Sequence, residues 1–181
     1  MPRPPRDLEP GLFHVYTHAV WAADALFCDD EDRVTFLREL ARATGRCGWR
    51  CLAFCVMGTH YHLVLYVGAG VLAKGMHYLN FRYATHFNGR HAMKGHVHGR
   101  RYDARRIQSQ TGLLRVFSYV AQNPPKAGLC EKAEDWRFSS YAGTIGLREQ
   151  HSFVDDRLVL GCFEGPIAYA RAALQRYVEI A

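Results

Sequence analysis

His60 and His62 flank a tyrosine at the head of an apolar run, HYHLVLYV. Alternate side chains of a strand share a face, so both imidazoles project to one side while Tyr61, Leu63 and Leu65 project to the other. Imidazoles at this spacing can meet one divalent cation, although an isolated His-x-His is more often the pattern of two structural histidines. A second group lies further along. Arg115, Tyr119 and Asn123 recur every four residues before Pro124-Pro125, so on a helix they line one polar stripe away from Leu113 and Phe117. A phenol in that stripe is a candidate nucleophile or half-buried packing, and Asn123 a candidate ligand or a helix terminator.

The charge distribution points to a partner. The net charge of +6 is spread unevenly: residues 1–70 carry −1, residues 71–126 carry +9 and residues 127–181 carry −2. The central excess comes from Lys74, Arg82, Arg90, Lys94, Arg100, Arg101, Arg105, Arg106, Arg115 and Lys126, opposed only by Asp103. Interleaved aromatics, among them Tyr78, Phe81 and Tyr102, suit a groove that tracks phosphates beside exposed bases, so a polyanion is the expected partner of this segment. A solvated basic face is the plain alternative.

The elements that must position these groups follow from pattern. Residues 13–20 read as a first strand. Asp29 heads an acidic run that suits a helix N-terminus, and Val34, Leu37, Leu40 and Ala41 follow at helical spacing up to Gly45. Two strands, 48–57 and 60–67, are joined by Gly58-Thr59 as antiparallel neighbours. A helix is expected over 71–88, a Gly- and His-rich loop over 88–99, a strand over 100–107 and a helix from Ser109 to Pro124. Residues 138–145 and 166–180 complete the list as helices. The order resembles a ferredoxin-like (RRM-like) α+β fold: an antiparallel sheet with helices on one side, plus a helical C-terminal extension. Residues 1–147 form the expected domain, and 148–181 the extension, without assigned role.

Composition excludes several classes. Apolar residues make up 49% and charged residues 22%, an ordinary globular balance. The longest apolar stretch, 63–73, holds two glycines and is far short of the ~20 residues a bilayer span needs. The N-terminal MPRPPRDLEPG lacks an apolar segment, so the expected location is cytoplasmic, with no membrane partner. Six cysteines without a C-x-x-C pair are expected to be reduced, with Cys51, Ala53 and Cys55 sharing one strand face.

Seven segments together carry a family resemblance: FHVYTHAV, the Gly48-Trp49 pair in GWRCLAFCVM, MGTHYHLVL, MHYLNFRYATHFNGRH, GHVHGRRY, YVAQNPPKAGL and DWRFSSYAG. In that order they resemble the REP-associated tyrosine transposases, within the single-tyrosine HUH transposase superfamily, over about residues 13–147. The resemblance implies Tyr119 as nucleophile, His60 and His62 as ligands of Mg²⁺ or Mn²⁺, and Asn123 as third ligand. It also implies cleavage and strand transfer of single-stranded DNA through a 5′-phosphotyrosine, on imperfect hairpins with a short flanking tetranucleotide. The sequence leaves monomer and homodimer both open. The expected phosphate contacts are Lys74, Arg82, Arg100, Arg101, Arg105, Arg106, Arg115 and Lys126, with Tyr78 or Tyr102 stacking on bases. Gly58-Thr59, His18 and Pro125-Lys126 depart from the family's usual Pro-Asn, Arg and Val-Arg; none removes a group of the implied site. The competing expectations are a catalytically inactive or domesticated nucleic-acid-binding module of the same fold, and a phosphodiesterase that uses water in place of the tyrosine.

Overall fold

The computed structural model describes residues 9–18, 25–97 and 101–180. Four strands form one antiparallel sheet in the order β2-β3-β1-β4: β1 is Gly11–His18, β2 Arg50–Val56, β3 His60–Val67 and β4 Asp103–Ile107. With α1 (Asp30–Cys47) between β1 and β2, and α2 (Val71–Arg90) between β3 and β4, the connectivity is the expected ferredoxin-like one. The element order continues with α3 (Gln110–Ala121), α4 (Asn123–Lys126), α5 (Tyr141–Thr144), α6 (Arg157–Leu160) and α7 (Ile167–Ile180).

Alternation divides the sheet into two apolar layers. Phe13, Val15, Tyr61, Leu63 and Leu65 face α1 and α2, joined by Phe36, Leu40, Met76, Leu79 and Tyr83. Ala53, Cys55 and Val64 face the opposite way, where α3 and the C-terminal helices supply Leu113, Phe117, Val120, Leu174 and Val178. Val159, Leu160 and the buried residues of α7 therefore belong to this second layer, while Phe153 and Val154 pack against the first. The amphipathic pattern of α7 buries Ala170, Leu174 and Val178 at helical spacing.

Local chemistry explains the boundaries. The Asp29 side chain caps α1 by accepting from Asp32 N–H, and Asp30, Glu31 and Asp32 complement the helix dipole. The helix passes Gly45 and stops at Gly48, because Gly48 is the residue with left-handed backbone (φ 59°) and its N–H closes on the Thr44 carbonyl. A bulge between Cys51 and Ala53 overturns the expected face sharing of three residues in β2. One extra residue reverses the alternation, so Cys51 joins the first layer while Ala53 and Cys55 join the second.

The expected helix over 138–145 is helical only in α5, because the residues before it are spent on the outer edge of β2. Val56 N–H donates to the Phe138 carbonyl at 2.9 Å and Ser140 N–H to that of Phe54 at 3.1 Å. Further along the same edge, Asp155 N–H donates to the Cys51 carbonyl at 2.7 Å, and the Asp155 carboxylate holds Arg50 at 2.8 Å. Hydrogen bonds from Arg157 and Arg50 hold that carboxyl well below the usual range. An edge strand left bare would be a template for unwanted pairing, and here the chain's own tail covers it.

Candidate functional site

The β1/β3 register builds a histidine-rich floor. His14 lies opposite Val64, Tyr16 opposite His62 and His18 opposite His60, so His14, Tyr16, His60 and His62 all sit on the face turned away from α1 and α2. The rings of His60 and His62 lie 5.1 Å apart, centroid to centroid. Each has its Nδ1 in a hydrogen bond at 3.0 Å: that of His60 with Thr59 Oγ1, that of His62 with His14 Nε2. His14 and His62 are only 8% and 3% exposed, so this pair lies in the protein interior. Burial, helped by the nearby Arg105 guanidinium, pulls the His14 pKa down to about 4, and the ring is neutral at pH 7.

Tyr119 reaches this floor from the second layer. Its ring stands edge-on to His62 at 5.4 Å and to His14 at 5.9 Å, and the side chain is 49% exposed. The position is set by the other side of α3, where Leu113, Phe117, Val120 and Ala121 are buried, and by Ser109, whose side chain caps the first turn through Gly112 N–H. Packing from α7 completes the support: Leu174 and Val178 are fully buried in the same layer, and Gln122 Nε2 donates to the Val178 carbonyl at 2.8 Å.

The remaining residues named from sequence divide by location. Asn123 begins α4, and its Nδ2 donates to the Tyr119 carbonyl at 2.7 Å, which leaves Oδ1 as the ligand-type atom of that amide. Arg105 belongs to the site face: it pairs with His14 across β1/β4, and its guanidinium lies 5.9 Å from the Tyr16 ring centroid. Arg115, on α3, and Lys126, at the end of α4, are exposed, as is Arg101 ahead of β4. Arg106 pairs with Phe13, stacks over its ring and bonds the Pro10 carbonyl.

Lys74, Tyr78 and Arg82 ride on α2, across the sheet from the histidines. There Arg82 pairs with Glu39 at 3.5 Å, and the Arg46 guanidinium lies 5.3 Å from the Tyr78 ring centroid. Tyr102 requires a correction as a base-stacking ring, because it is only 6% exposed and packs in the first layer. Burial of its apolar ring is worth more than its display. Arg100 lies outside the described residues.

Sequence reasoning missed His14, whose signal was present: His14 and Tyr16 alternate on β1, but only the register reveals which residues of β3 they meet. It also missed a cluster at the far ends of α1 and α2, where ligand-type atoms of Cys28, Asp32 and His91 lie within 4.8 Å of one another. The fully buried Asp32 carboxylate already takes Arg90 Nη1 at 2.8 Å, His91 Nε2 at 3.0 Å and Cys28 N–H at 2.9 Å. Those bonds join the helix ends whether or not a cation binds. Among the described residues, no helix is long and apolar enough to cross a membrane.

No protein-family profile and no curated protein matches the chain. A solved structure does: a REP-associated tyrosine transposase bound to a REP hairpin superimposes with a TM-score of 0.69 at 15% identity, covering 92% of this chain and 93% of that one. The two chains share a fold. The likeness extends over nearly the whole length, including residues beyond 147.

Proposed function

We propose that this protein cleaves and rejoins single-stranded DNA by transesterification on Tyr119, in the manner of a REP-associated tyrosine transposase. The observation that carries the reading is the approach of the Tyr119 ring to within 5.4 Å of His62 within one chain, on a fold shared with such a transposase. The donor set of His60, His62 and the Asn123 amide oxygen suits a divalent cation such as Mn²⁺ or Mg²⁺, since each imidazole has its Nδ1 engaged and would ligate through Nε2. Bound there, such a cation would neutralise charge on the scissile phosphoryl group.

The protein's own part is positioning. Tyr119 Oη attacks phosphorus in line; the bond from phosphorus to the 3′ oxygen breaks, the phenolic proton passes to solvent and the departing oxygen takes one up as a free 3′-OH. The 5′-phosphotyrosine conserves the ester, so a DNA 3′-OH can attack it and restore the phenol without ATP. Holding the ring half-exposed on a helix whose opposite side is buried keeps it accessible to a strand while restricting its orientation. Arg105, beside Tyr16 on the sheet, and Arg115, one turn before Tyr119, supply positive charge for neighbouring phosphates. Imperfect hairpins are the proposed substrates.

The test is incubation with a labelled single-stranded hairpin oligonucleotide and Mn²⁺, followed by a denaturing gel. Wild type is expected to yield a denaturation-resistant protein–DNA band, and Tyr119→Phe to lose it while retaining binding. Cleavage that survives Tyr119→Phe would assign the chemistry to water. Binding by wild type with neither adduct nor cleavage would leave a nucleic-acid-binding module.

A further inference from the structure

We infer that His14 is a positioning residue that fixes the tautomer of His62, so that the Nε2 of His62 presents a lone pair to a cation. The inference rests on the metal reading above. His14 Nε2 and His62 Nδ1 are 3.0 Å apart, both rings are buried, and a hydrogen bond between two neutral imidazoles needs one donor and one acceptor. Two arrangements satisfy it. If His14 donates, His62 carries its proton on Nε2 and has no lone pair there. If His14 accepts, His62 carries its proton on Nδ1 and Nε2 becomes a ligand.

The neighbouring residue decides between them by analogy of construction. His60 also has its Nδ1 tied to a protein group, the Thr59 hydroxyl at 3.0 Å, and a hydroxyl can accept from Nδ1–H. Both imidazoles of the pair are thereby oriented through Nδ1, with Nε2 as the metal-facing atom in each. Partners that hold the second nitrogen of a ligating histidine fix ring rotation and tautomer together. In this structure a third imidazole, one strand away in the register, does the work usually left to a carboxylate or a carbonyl. A neutral acceptor adds no negative charge beside the cation, and Arg105, which pairs with His14 across β1/β4, lies on its outer side.

The experiment reads tautomers directly, by long-range ¹H–¹⁵N correlation of the histidine rings in the metal-free full chain, alongside Mn²⁺ titration followed by electron paramagnetic resonance. Wild type should show both His62 and His14 protonated on Nδ1. In His14→Leu, His62 should move toward the Nε2–H form and Mn²⁺ affinity should fall ~10–100-fold, the usual cost of losing such a partner. His14→Gln places an amide oxygen near the former Nε2 position and should restore both readings, which a merely space-filling role would not predict. An Nε2–H tautomer for His62 in the wild type, or an unchanged tautomer and unchanged Mn²⁺ affinity in a folded His14→Leu, overturns the inference. The strand-transfer reading fails separately: wild type with the expected tautomers and Mn²⁺ binding but no covalent adduct would sink that reading and support the positioning role.

Discussion

Gly75→Ala sets two effects of opposite sign against each other, and the structure says which wins. In the middle of a helix, alanine is better than glycine by ~1 kcal/mol, so on an open face the change would stabilise. Gly75 is not on an open face. An ideal Cβ there would lie 2.1 Å from Trp49 Cζ2 and 2.7 Å from both Cε2 and Cη2. Carbon atoms pack at roughly 3.5–4.0 Å, so the indole would have to retreat by about 1.5 Å. Trp49 is 4% exposed and belongs to the first apolar layer together with Leu72, Met76 and Leu79, so the ring cannot simply swing out into solvent.

Overpacking of this kind costs ~1–3 kcal/mol, and a rigid bicyclic ring at 2.1 Å belongs at the upper end, so the net effect should be a destabilisation of ~1–2 kcal/mol. Urea denaturation followed by circular dichroism should show a lower midpoint at unchanged slope. The decisive comparison is the background Trp49→Phe, which removes the benzo ring atoms that the new methyl meets. There Gly75→Ala should stabilise, and the coupling between the two sites should be ~2–3 kcal/mol. If Gly75→Ala raises the midpoint of the otherwise wild-type chain, or costs the same in both backgrounds, the close approach of α2 to Trp49 is not what requires glycine.

Leu174→Ala should cost ~2–5 kcal/mol by cavity creation, because the side chain is fully buried against the helix that carries Tyr119. Melting would read the loss, and adduct yield below the melting temperature should fall as well. The buried His14 also makes stability depend on pH. Its folded pKa is about 4 against an ordinary 6.5, so well above pH 6.5 it contributes no slope. As pH falls below 6.5 the unfolded chain takes up a proton that the folded chain refuses, and stability declines down to about pH 4. Between pH 7.5 and 5 this amounts to about 2 kcal/mol, measurable by urea titration at the two values. His14→Gln should lose that component of the slope; an identical slope in both proteins would refute the assignment.

Strand alternation and helical spacing were enough to read β3 with its two imidazoles on one face, α3 with Tyr119 on its outward stripe, the Asp29 and Ser109 caps and the order of elements that makes the ferredoxin-like sheet. These are local properties: a side chain's direction follows from its neighbours along the chain, and a cap needs only the next three residues. What surrounds those imidazoles is not local. The contact of His14 with His62 spans 48 residues and exists only because β1 pairs with β3 in one particular register. Likewise the bulge at Cys51, the cover that residues 138–155 give to the β2 edge and the burial of Tyr102 depend on which surfaces meet after the chain has collapsed. Net positive charge over residues 71–126 was plain from composition, yet the sheet separates its members, leaving Lys74, Tyr78 and Arg82 on one side and Arg105 beside the histidines on the other. Residue type and spacing determined which groups could react; tertiary packing decided which of them meet, because pairing register and layer assignment are set by the burial of the whole chain and not by any segment of it.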